Sequence, residues 1–135
     1  MCGYIIVKYL VHIGTCTDID DQNDEKEVDC EDPKTIFYND LSEDAAKPWI
    51  SKLATQGYRV MFSEVTVEAW KDIPTAYLVC TADNAIPVPI QEGMIAGAQG
   101  VNSKAFDIIE KVESSHSPFL SMPEKTASFL EKVAL

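Results

Sequence analysis

Apolar positions along the chain fall into two different rhythms. Residues 4–13 (Tyr-Ile-Ile-Val-Lys-Tyr-Leu-Val-His-Ile) are dense in β-branched and aromatic side chains, which predicts a strand. Ala45, Ala46, Trp49, Ile50, Leu53 and Ala54 recur at helical spacing, with Ser42 placed as an N-cap and Glu43 and Asp44 in the first turn. Pro48 interrupts that pattern, so either the helix kinks there or its regular part starts near Lys47. Tyr58, Met61, Phe62, Val65, Val67 and Trp70 follow no clean period, which predicts irregular, aromatic-rich packing.

The second half is more regular. Ala76-Tyr77-Leu78-Val79-Cys80 reads as a short buried strand and residues 88–98 as a helix weakened by Gly93 and Gly97. Phe106 to Val112 reads as a further strand. Ser121-Met122-Pro123-Glu124 has the form of a capping box, and Phe129, Leu130 and Val133 give the final helix one apolar face. Strand, helix, strand, helix predicts a parallel sheet of the α/β class. Parallel strands joined by a helix end at the same sheet edge, where open α/β sheets bind ligands. Asp83 follows the first of these strands and His116 the second, so topology alone brings an aspartate and a histidine to one crevice. A histidine with an orienting carboxylate is the chemistry of a general base. The plainer alternative is a hydrogen-bonded relic kept for packing.

Charge narrows the partners. With a net charge of −11 and Arg59 as its single arginine, the chain repels phosphate backbones and anionic lipid, so neither nucleic acid nor a membrane surface is expected. From Asp18 to Asp32 nine acidic residues stand against Lys26 alone, the composition of a solvated loop. Asn23 where a calcium loop needs glycine, and Asp29 where it needs glutamate, argue against a calcium site. The apolar opening lacks a basic leader and is interrupted by Lys8, unlike a secretory signal. Cys2, Cys16, Cys30 and Cys80 show no CxxC spacing, so reduced thiols in a cytoplasmic protein are expected, with Cys80 a buried small hydrophobe. His12 and His116 are too few for a zinc site, and no metal or cofactor is expected. Ser114, Ser115, Ser117 and Ser121 lie too near His116 in sequence to curl back to it and read as loop and capping residues.

The segments Asp83-Asn84-Ala85-Ile86-Pro87 and Ser115-His116-Ser117-Pro118, with Pro123-Glu124 beyond, resemble the acid and base turns of the α/β-hydrolase superfamily. Phe37-Tyr38-Asn39-Asp40-Leu41 and Ala69-Trp70-Lys71-Asp72-Ile73-Pro74 resemble the lid passages of small fungal esterase-like members. The resemblance runs from about residue 28 to the end and implies a single domain over 1–135. Residues from about 14 to 70 would form the acidic loop and lid, and 71–135 the strand–helix–strand–helix unit with Asp83 and His116 catalytic. It further implies a helical lid in which Trp49, Tyr58, Phe62 and Trp70 form the substrate-binding wall for an apolar ligand, against the plainer reading of these aromatics as core.

One departure matters. The G-x-S-x-G elbow that carries the nucleophile in these hydrolases is absent, and 135 residues are expected to leave no room for the missing strands. The fold expected is therefore a truncated α/β-hydrolase-like parallel sheet, completed by homodimerisation so that its inner edge is covered. A base without an enzyme nucleophile can still do acyl chemistry when the substrate supplies the attacking oxygen. The leading expectation is a cyclase closing a lactone or pyrone on an apolar polyketide, free or carrier-bound. Ester or thioester hydrolysis, with water or a serine supplied by a partner, is the alternative. A non-catalytic ligand-binding relic and a fragment of a longer hydrolase are the others.

Overall fold

The computed structural model describes residues 27–57 and 63–134. The expected strand over 4–13, His12, Cys2, Cys16, Tyr58, Phe62 and most of the acidic run lie outside the described residues.

The elements are β1 (Glu27–Val28), α1 (Pro33–Phe37), α2 (Glu43–Ile50), β2 (Gln56–Gly57), a 3-10 turn (Ala69–Lys71), β3 (Ala76–Cys80), α3 (Val88–Val101), β4 (Ile108–Val112), α4 (Pro118–Ser121) and α5 (Pro123–Ala134). β1 and β2 pair antiparallel over two residues each. β3 and β4 pair in parallel, from Ala76↔Ile108 to Cys80↔Val112. α3 is the crossover between them, and the predicted strand–helix–strand–helix order is present.

α3 survives its glycines because tertiary packing outweighs propensity. Gln91, Ile95 and Ala98 fall on one stripe, all buried, and the helix lies against β3. It runs to Val101, three residues beyond expectation, and Asn102 ends it in an extended conformation. Consecutive β4 side chains point to opposite faces. Glu110 pairs with Lys132 of α5, whereas Lys111 pairs with Glu92 of α3 at 2.7 Å. Helices therefore flank both sheet faces, as a parallel sheet requires. Val79, Cys80, Ala85, Ile95, Ala98, Ala105, Val112 and Phe129 form the core around it.

Several local expectations are corrected. The strand begins at Ile108 rather than Phe106, because Phe106 adopts a left-handed φ of 53° that an extended run cannot contain. Its ring packs edge-on against Tyr77, with centroids 5.6 Å apart, which offsets the strain. The capping box at Ser121 does not form. Ser121 ends α4, and α5 starts at Pro123, with Thr126 N–H bonded to Met122 O. α2 starts at Glu43, not near Lys47: Ser42 Oγ accepts from Ala45 N–H at 3.3 Å, and the helix continues through exposed Pro48. It stops at Ile50, where Ser51 Oγ donates to Pro48 O, leaving Leu53 exposed. Val65 and Val67 are 73% and 76% exposed, so the segment around them is not the aromatic-rich packing expected.

Candidate active site

The two loops leaving the sheet stay bonded after the strands end. Thr81 N–H donates to Val112 O at 2.8 Å, and Ala82 N–H to Ser114 O at 3.0 Å. The next residue on one side is Asp83, and two further on the other is His116. Their side chains meet, with His116 Nδ1 2.9 Å from Asp83 Oδ2.

Asp83 is buried and held in a tight turn of its own making. Its Oδ1 accepts from Ala85 N–H at 2.8 Å and Ile86 N–H at 2.9 Å, the side chain standing in for a backbone carbonyl. That leaves Oδ2 for the imidazole. A carboxylate only accepts, so the proton of the neutral ring is assigned to Nδ1 and Nε2 remains to take one. His116 is half-buried, with its ring 5.6 Å from Phe37. Both residues line an open groove of about 320 Å³ whose wall is Tyr77, Leu78, Ile86, Pro118 and Phe119, with Ala76, Cys80 and Gln91.

Gln91 anchors the acid turn from beneath. Alternation along β3 points the peptide groups of Cys80 away from β4. Gln91 Oε1 accepts from Cys80 N–H at 3.0 Å, and its Nε2 donates to Cys80 O at 2.9 Å and Ile86 O at 2.6 Å. A side-chain amide thus stands where a neighbouring strand would, fully buried and with its bonds made on both sides of Asp83. Beyond Cys80, β3 has no second strand partner among the described residues.

Cys80 also lines the groove, but burial pushes its thiol pKa up, which keeps it protonated and a poor nucleophile. Burial likewise raises the Tyr77 phenol, with the negative charge of Asp83 adding to the effect, so its hydroxyl is a donor at neutral pH. Ser114, Ser115 and Ser117 are buried; Ser114 Oγ donates to Ser115 O and Ser115 Oγ to Phe37 O. Among the described residues no group of three or more metal-ligating side chains occurs, and no helix is long and apolar enough to cross a membrane.

Trp49 and Trp70 are not part of this wall. Trp49 is 41% exposed on α2 with Lys52 Nζ over its ring, and Trp70 sits in the 3-10 turn beside Lys71. The groove is instead built from β3 and the two loops. Sequence reasoning missed Gln91, whose signal was a polar residue on a stripe otherwise filled by Ile95 and Ala98. It also missed the anchoring of the loops by Asn39 and Asp40, described below.

A family model described as the alpha/beta hydrolase family matches residues 18–129. The chain is similar to the alpha/beta hydrolase nvfD of Aspergillus novofumigatus, 31% identical over 107 residues, covering 79% of this chain and 41% of that protein. It is also similar to the probable hydrolase R7 of a Phoma species, 29% identical over 96 residues, covering 71% of this chain and 39% of that one. The chain thus spans about two fifths of the length of these curated relatives. No solved structure matches.

Proposed function

Because this chain belongs to the α/β-hydrolase family, we propose that it works as a hydrolase-like cyclase that closes a lactone or pyrone ring on an apolar polyketide thioester or ester. One observation carries the reading: His116 and Asp83 are joined at 2.9 Å on a groove whose only thiol, among the described residues, is held protonated. His116 Nε2 takes the proton of an enol or hydroxyl on the substrate. The freed oxygen attacks the carbonyl of the same molecule and forms the ring C–O bond. The tetrahedral intermediate then collapses, the bond to the leaving thiolate or alkoxide breaks, and the leaving group collects the proton from His116. Asp83 holds the tautomer and stabilises the imidazolium in between. The ring closure is already intramolecular, so folding the chain inside a groove contributes the remaining orientational part of the proximity advantage.

In this reading the protein is cytoplasmic and pairs with a second copy along the edge of β3 that has no strand partner among the described residues. Sedimentation equilibrium at micromolar concentration should give a dimer; a well-folded monomer would remove the dimer from the account. The length of the relatives favours one alternative, ester or thioester hydrolysis with a serine supplied from outside the residues seen here. Intact-protein mass spectrometry during turnover separates the two. The cyclase forms no acyl adduct and leaves an enol-blocked thioester analogue untouched, whereas a serine hydrolase gains the acyl mass and releases the acid.

A further inference from the structure

We propose that Asn39 and Asp40 form a positioning clamp that holds the His116–Asp83 pair together from the lid side. The proposal rests on the role assigned to that pair. Asn39 and Asp40 touch both loops, each one residue before its functional side chain. Asn39 Nδ2 donates to Ala82 O at 2.9 Å, immediately before Asp83. Asp40 Oδ2 accepts from Ser115 N–H at 2.8 Å, immediately before His116.

Three further contacts reinforce the arrangement. Asn84 Nδ2 donates to Thr35 O at 2.9 Å, Ser115 Oγ donates to Phe37 O at 3.1 Å, and the Phe37 ring rests against the imidazole. The acid loop is therefore bonded to the lid on both sides of Asp83, and the base loop by both polar groups of Ser115 that can donate. Ser115 is fully buried, so its N–H needs a protein acceptor, and a carboxylate makes a stronger bond than a neutral oxygen. Partial desolvation of Asp40 opposes its charge, but hydrogen bonding from Ser115 and the backbone outweighs it and holds the carboxyl below the ordinary aspartate range.

The sheet fixes only the loop roots and leaves the side-chain torsions of the imidazole to be set by its contacts with Asp83 and Phe37. Two adjacent residues that grip both loops convert nearness into a fixed separation. Misplacement of a base by about 1 Å can cost roughly 100-fold in rate, which sets the scale of what the clamp protects.

The test compares the full chain with Asp40→Ala, Asp40→Asn and Asn39→Ala. The first readout is the proton NMR resonance of His116 Nδ1–H, which a hydrogen bond to Asp83 moves downfield. Asp40→Ala should lose it while the resonances of Val79 and Val112 in the sheet stay in place. Asp40→Asn should keep it, because the amide oxygen still accepts from Ser115. Asn39→Ala should weaken it. The second readout is cyclisation of an enol-bearing polyketide thioester, where Asp40→Ala should lower kcat roughly 10- to 100-fold with KM little changed.

A signal equally strong in Asp40→Ala and Asn39→Ala overturns the clamp, as does a wild type with no downfield proton. If Asp40→Ala does not fold, Asn39→Ala decides by the same resonance. Loss of the signal in a protein that does not cyclise the thioester supports the clamp and counts against the catalytic reading alone.

Discussion

The two halves of the described chain are held by different forces. In residues 76–134 the strands are bonded in register, α3 and α5 flank the sheet, and even the polar side chains inside, Gln91 and Asp83, have their bonds made. In residues 27–57 and 63–75 the strands are two residues long, and Trp49, Leu53, Val65, Val67 and Ile73 are exposed. Tyr38 and Ala46 are the buried apolar side chains of that half among the described residues. Yet the loosely built half contributes Phe37, Asn39 and Asp40 to the pair carried by the tight half. A scaffold can be rigid at its strands and still depend on a thinly packed segment for the last ångström of alignment.

Substitutions should expose that asymmetry. Gln91→Ala strands three buried backbone groups, Cys80 N–H, Cys80 O and Ile86 O, and should cost about 3 kcal/mol, readable as a lower denaturation midpoint. A cost near zero would mean that water or a shifted loop replaces the amide. In the opposite direction, Gly93→Ala should stabilise by roughly 0.5–1 kcal/mol, because a Cβ there meets nothing within 4 Å inside a helix. Trp49→Ala, for all its size, should cost about 1 kcal/mol or less, since the residue stays 41% exposed beside an exposed lysine. A loss as large as that of Gln91→Ala would show α2 to be part of the core after all.

The smallest effect is with pH. The Asp40 carboxyl is held below the ordinary aspartate value, so its contribution to stability is fully present above about pH 5. It fades as pH falls through the unfolded value of about 4 and on through the lower native one. Melting temperature against pH should therefore drop less steeply in Asp40→Asn than in wild type across that acid range. Parallel curves would mean that the hydrogen bonds to Asp40 are not kept in solution.

The pair itself was legible because it depends on topology and little else. Two strands with a helix between them put Asp83 and His116 at one edge whatever the loops do. The grip on those loops was not legible, since Asn39 and Asp40 find partners 43 and 75 positions away and nothing local marks them. Trp49 and Trp70 stand apart from the groove that holds Asp83 and His116, and an aromatic in a sequence does not reveal what will cover it. Phe106 has a similar lesson: its left-handed backbone is set by the Tyr77 ring and by the bond from its N–H to Thr75 Oγ1, both long-range. Capping at Ser42 was read correctly, whereas Ser121 was not, because a preceding helix ends on that serine.

The central claim is that His116 is the proton-transferring base and Asp83 its orienting partner. The direct measurement is turnover of an enol-bearing polyketide thioester by wild type and His116→Ala, each shown to be folded. The account predicts a fall of roughly 100- to 10,000-fold in kcat for His116→Ala, with unchanged circular dichroism. Near wild-type turnover by a folded His116→Ala protein would contradict it and leave the pair a structural hydrogen bond.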